Sequence, residues 1–164
     1  MASSGSCPYY NKISSIFGIS TPSSTSFSIP VSNLFQIVIF SCETVIAMQF
    51  FFYDGTTTVY GNPNNGFVSR VDTINLYDRR IIGINLTYGT VINSIQFVLL
   101  CISSNTIQTT PIFGMTEDTS VSINLSQNGP VNSSSFAITT INGSADNLHV
   151  TSFFVNYYYK QCSK

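Results

Sequence analysis

Ile37-Val-Ile-Phe-Ser-Cys-Glu-Thr-Val-Ile-Ala-Met-Gln-Phe50 is followed, 47 residues on and without a gap, by Ile84-Asn-Leu-Thr-Tyr-Gly-Thr-Val-Ile-Asn-Ser-Ile-Gln-Phe97. Ile37, Ile39, Val45, Met48, Gln49 and Phe50 fall opposite Ile84, Leu86, Ile92, Ile95, Gln96 and Phe97, and Cys42 falls opposite Gly89. Each copy reads as a strand, a reversal and a second strand, because β-branched and aromatic residues fill the flanks. A third copy sets Val150, Phe153, Phe154 and Val155 opposite Val45, Met48, Gln49 and Phe50, with Phe136 to Ile141 as the partner strand. A unit of this kind cannot bury its apolar face alone, so three are expected to pack their inner faces about a shared axis.

The rest of the chain agrees with an all-β domain. Of 164 residues, 43% are apolar and 13% aromatic, while only 8% are charged. That is enough chain for one domain with a core, and abundant Ile, Val, Phe and Tyr argue against disorder. The polar remainder is mainly Ser, Thr and Asn, which suits strands and turns better than helices. Strands are expected over residues 35–40, 45–53, 73–76, 81–86, 91–100, 121–125, 136–141 and 149–157. Turns are expected at Asp54-Gly55, Gly61 to Gly66, Gln127 to Pro130 and Asn142-Gly143, each supplying residues that pre-set a turn or tolerate positive φ. Pro8, Gly18, Pro22 and Pro30 and the Ser/Thr run from Ser20 to Ser28 give the first thirty residues the look of an irregular arm with at most one edge strand. The division is an arm over residues 1–26 and a domain over 27–164.

Several function classes are disfavoured. A formal net charge of −1 sets up no field to gather phosphates, so nucleic acid and anionic membranes are poor partners. The most apolar window, Ile37 to Tyr53, is interrupted by Ser41, Glu43 and Gln49 and is shorter than the roughly 20 residues of a spanning helix, so no membrane insertion is expected. His149 is the sole histidine, and no Gly-x-Ser-x-Gly elbow is present, so a nucleophilic enzyme is not expected. Of the carboxylates only Glu117 and Asp118 adjoin, and neighbours in extended chain point apart, which reads as a solvated turn. Calcium-loop spacing is absent, and neither a metal nor another cofactor is expected.

Cys7, Cys42, Cys101 and Cys162 form no C-x-x-C pair, which leaves an extracellular disulfide framework rather than a zinc site. An end-to-end bridge between Cys7 and Cys162 and a bridge between subunits both remain open. Sequons at Asn85, Asn124, Asn132 and Asn142 suit a secreted glycoprotein. Tyr9-Tyr10 and Tyr157-Tyr-Tyr159, on a surface poor in charge, favour self-association as a homodimer.

The three units in order resemble the jacalin-related lectins, a family whose β-prism is three Greek-key sheets around a pseudo-threefold axis. The resemblance rests on Ile37 to Phe50 with Tyr53-Asp-Gly55 and Tyr60-Gly61, then on Thr73 to Leu76, Ile81 to Ile84, Gly89, Ile92 to Phe97 and Phe113-Gly114, and more loosely on Val121 to Leu125, Gly129, Phe136 to Ile141 and Val150 to Tyr159. It covers about residues 27 to 159. It implies a lectin that binds glycans or small saccharides at one end of the prism. The family's sugar-chelating Gly-x-x-x-Asp falls here on Asn147 and Thr151, so Asp146 is the carboxylate on offer, with Asn147, His149 and Thr151 beside it and Gly18 and Ser20 standing in for the Gly-rich N-terminal loop. Gly89-Thr-Val-Ile-Asn93 repeats the spacing with an amide, which offers a second sugar site at Gly89 and Asn93. The chemistry suits these residue types, because planar acceptors and donors chelate adjacent sugar hydroxyls. The missing Asp keeps a second reading alive, that of a structural extracellular or matrix protein with this fold and no sugar binding.

Overall fold

The computed structural model describes residues 8–125 and 136–160. Fourteen strands are present among them: β1 (Tyr9–Ile13), β2 (Phe17–Gly18), β3 (Thr25–Pro30), β4 (Leu34–Ser41), β5 (Val45–Phe52), β6 (Thr57–Gly61), β7 (Arg70–Asn75), β8 (Arg79–Tyr88), β9 (Ile92–Cys101), β10 (Thr106–Thr109), β11 (Phe113–Gly114), β12 (Thr119–Asn124), β13 (Phe136–Ala145) and β14 (Val150–Lys160). A 3-10 turn, Val31–Asn33, joins β3 to β4.

They form three antiparallel sheets built on one plan. At the centre of each lies a tight hairpin, β4–β5, β8–β9 or β13–β14. An outer strand pairs with its first arm, β7, β12 or β3. Others pair with its second arm: β6 on β5, β10 and β11 on β9, β1 and β2 on β14. The inner strands β5, β9 and β14 each touch the other two, which places them around a common axis. This is the expected β-prism.

The repeat is visible in the burial. Val45, Ile92 and Val150 are buried, as are Met48, Ile95 and Phe153, and as are Phe50, Phe97 and Val155. Between them, Gln49, Gln96 and Phe154 point the other way and are half-buried, as strand alternation requires. Gln49 donates to Thr57 Oγ1 at 3.2 Å and Gln96 to the Thr110 carbonyl at 2.8 Å, so both braces reach the outer chain. Burying rings such as Phe50, Phe97 and Phe153 contributes roughly 2–3 kcal/mol each. Phe27 packs on Tyr60 at 4.8 Å and Phe17 on Tyr88 at 5.2 Å between ring centres, fastening neighbouring sheets together.

The structure corrects four expectations. The first thirty residues hold three strands, not one, and these complete the third sheet. Residues 73–76 belong to the first sheet and 121–125 to the second, each one sheet earlier than the order of keys implied, because the outer strand of each sheet folds back onto the hairpin that precedes it. Asn142-Gly143 is no turn: both residues lie inside β13, opposite Phe154 and Phe153. The Asn142 amide donates to Thr140 Oγ1 and Asn156 Oδ1 at 3.1 and 2.7 Å, and its carbonyl accepts from Ser28 at 2.6 Å. Asn142 is therefore buried and committed, and a glycan on its nitrogen would have to displace those bonds.

At the edge of the third sheet β1 runs against β14, with every β1 residue exposed. The Tyr9 ring meets Tyr158 edge-on at 5.4 Å, and Tyr10 stacks on Tyr159 at the same distance. Lys160 Nζ lies 5.5 Å from the centre of the Tyr9 ring.

The polar end of the prism as candidate binding site

The three central hairpins reverse at one end of the prism, through Cys42–Thr44, Gly89–Val91 and Asp146–His149. A glycine in the left-handed region packs beside each: Gly61 at φ +87, Gly114 at φ +92 and Gly18 at φ +80. A Cβ on any of them would run into the carbonyl oxygen of the second inner-strand residue, Ile46, Asn93 or Thr151 respectively. Only glycine meets both demands, positive φ and contact with backbone.

These reversals are tied to one another in a ring. Met115 N–H donates to the Glu43 carbonyl at 3.1 Å, joining the first and second. Ile19 N–H is shared between the carbonyls of Thr151 at 2.9 Å and Thr90 at 3.3 Å, joining the second and third. Thr44 Oγ1 and His149 Nδ1 form a hydrogen bond of 3.0 Å, and Asn65 donates to the Asn147 carbonyl at 3.0 Å, joining the third and first. The end face is thus a braced platform rather than three separate loops.

At the third reversal Asp146 folds its carboxylate back. Oδ1 accepts the N–H groups of Leu148 and His149, each at 2.8 Å, while Asp146 N–H reaches the His149 carbonyl at 3.0 Å. This is a side chain closing its own turn. Asn147 and Leu148 are exposed. Thr151, expected at the mouth, is only 1% exposed; its hydroxyl bonds Ser144 at 2.7 Å and Ser24 at 3.1 Å. Ser20 reaches inward too, to Ser144 at 3.0 Å and Ser152 at 3.3 Å. These hydroxyls donate and accept among themselves, and the position the resemblance gives to a carboxylate holds the Thr151 hydroxyl. Gly18 belongs to the wall, pressed on the Thr151 carbonyl.

The second reversal is filled differently. Asn93, 6% exposed, donates to Asp118 Oδ2 at 2.7 Å and to the Glu117 carbonyl at 3.3 Å. Asp118 adopts φ 63 and is exposed. Its carboxylate lies against Gly89, where an added Cβ would come within 2.8 Å of Oδ2. Ser69, Asp118 and Ser24 each immediately precede an outer strand, β7, β12 or β3. They are equivalent, as are Ile46, Asn93 and Thr151. The three ends therefore carry an apolar residue, an amide with a carboxylate, and a pair of hydroxyls.

Asp118 was not among the residues expected from sequence, where it reads as half of a solvated turn. The signal that reveals it is the pairing of Thr119 with Tyr88, which sets the preceding residue beside Gly89.

Other expected sites fall as follows. Cys42 and Cys101 are free thiols within this chain and form no bridge with each other; Cys7 and Cys162 lie outside the described residues, as does Asn132. Asn85 donates to Gln96 Oε1 at 3.1 Å, and Asn124 is exposed. Among the described residues no three His, Cys, Asp or Glu side chains group as metal ligands, and no helix is long and apolar enough to cross a membrane.

No protein-family model matches this sequence, and no curated protein matches it. Solved structures do resemble it in shape. The agglutinin of Calystegia sepium superposes with TM-score 0.67 at 22% identity, over 92% of this chain and 97% of that one. A mannose-binding jacalin-related lectin from Ananas comosus gives 0.65 at 23% identity, over 92% and 99%. Artocarpin, solved as a complex with mannotriose, gives 0.65 at 12% identity, over 90% and 97%. At such identities the likeness establishes the fold, the β-prism of the jacalin-related lectins.

Proposed function

We propose that this protein is a non-enzymatic carbohydrate-binding protein that holds mono- or oligosaccharides at the braced end of the prism. The observation that carries this reading is the end face itself. Asp118, leading into β12 and held by Asn93, and Asn147, on the third reversal, are both exposed on this cross-linked end face, so planar polar groups are presented there, as hydroxyl recognition needs. The fold supports it, since proteins of this shape are described as binding mannose or as complexed with mannotriose. Secretion and assembly into a multivalent homodimer are part of the proposal. The exposed sequon at Asn124 and the tyrosine-rich edge strand β1 support them.

One observation favours a second reading. The hydroxyl cluster around Thr151 leaves the third reversal without the carboxylate that the resemblance calls for, as a structural extracellular protein with this fold and no sugar binding would have it. Glycan-array binding of the non-reduced protein, with mono- and disaccharide competition, separates the two. Robust, competable binding supports the carbohydrate reading. A blank array from a folded dimer supports the structural one.

A further inference from the structure

We propose that the saccharide is chelated at the second reversal rather than the third, with Asp118 as the acceptor of a pair of adjacent sugar hydroxyls. The inference rests on the carbohydrate reading and deepens it by naming the site and the class of sugar.

A carboxylate chelates a diol well when it is exposed, fixed in rotation and not already consumed by its own turn. Asp118 meets these conditions. The buried Asn93 amide holds Oδ2 at 2.7 Å and is itself anchored on the Glu117 carbonyl, so the carboxylate plane is set before any sugar arrives. Glycine at position 89 leaves that carboxylate its room, since a Cβ there would come within 2.8 Å of Oδ2, and exposed Thr90 stands next to it with a hydroxyl. Asp146 differs, because its Oδ1 already accepts two backbone N–H groups. The carboxylate missing from the repeated spacing is thus supplied from the residue before β12, with Asn93 as its positioning residue.

The local charge selects the sugar class. Glu117 and Asp118 adjoin, and Arg70 forms its ion pair with Asp72 rather than with either of them. Two neighbouring negative charges disfavour uronic and sialic acids and favour neutral sugars carrying vicinal hydroxyls.

The test titrates the full chain with methyl α-mannopyranoside, methyl α-galactopyranoside and glucuronate by calorimetry, beside Asp118→Asn and Asp146→Asn. Asn tolerates positive φ and still accepts from Asn93, so Asp118→Asn is expected to fold with an unchanged melting temperature. It is expected to weaken binding of the neutral glycoside by at least about tenfold, with glucuronate not bound by the parent protein. Asp54→Asn, at the opposite end of the prism, serves as the unaffected control. In the parent protein, saturating glycoside should shift the amide resonances of Gly89, Thr90, Asn93 and Thr119, a readout that does not depend on any variant folding. Shifts confined to Asn147 to His149, or loss of binding in Asp146→Asn with retention in Asp118→Asn, overturn the site while leaving the carbohydrate reading standing. A parent protein that binds no glycan on the array and neither glycoside overturns both.

Discussion

At Gly114 the backbone stands at φ +92 against the Asn93 carbonyl, and no other residue fits there. Gly114→Ala adds the cost of the left-handed region to a clash with backbone that cannot rotate away. A loss of stability on the order of 2 kcal/mol or more is expected in urea unfolding. Ser144 bonds Ser20, Thr151 and Ser152 at 3.0, 2.7 and 2.6 Å; Ser144→Ala removes all three bonds at once and is expected to cost about 1–3 kcal/mol by the same measurement. Asp54 behaves otherwise, being fully exposed. The Thr56 hydroxyl and N–H donate to it at 2.6 and 2.9 Å and hold its carboxyl below the usual range. Its contribution is therefore present above the ordinary carboxylate pKa and is lost as pH falls through the lowered value. At this scale the sequence was least legible. Gly18, Asp146 and Asn93 stand near the expected place, but the Thr151 hydroxyl is buried against Ser144 and Ser24, and exposed Ser20 turns its hydroxyl to Ser144 and Ser152. Asp118 needed a strand register that no local pattern specifies.

The central hairpins were readable because both arms are buried against two other sheets, so Ile, Val and Phe recur at the period of the pleat. The outer strands were not. Thr106–Thr109 and β1 are exposed throughout, so their pairing rests on backbone bonds that leave little mark on composition. Asn142-Gly143 misled for a related reason: a dipeptide with strong turn preference is overridden when its amide finds buried partners. The β1–β14 ladder also bears on the disulfide question. Its last described pair sets Tyr9 opposite Lys160, and Cys7 lies two residues before the one and Cys162 two residues after the other. Peptide mapping without reductant is expected to return Cys7 joined to Cys162 within one chain. A covalent dimer on a non-reducing gel would instead favour the bridge between subunits.

For the molecule as a whole, the threefold plan was legible because its two clearest copies are contiguous in sequence. The third copy hid its plan because its outer strands come from the opposite end of the chain. With 8% charged residues and a neutral sugar as partner, glycan affinity is expected to change less than about twofold between low and high salt in calorimetric titration. A steep dependence would point to an anionic ligand instead. The tyrosine ladder on β1 and β14 has an optical consequence. The chain contains no tryptophan, and five of its nine tyrosines stand on these two strands. The near-ultraviolet spectrum is then dominated by the seam where the amino-terminal strand closes on the carboxy-terminal one, so a probe usually taken to follow the interior would here report on that seam coming open.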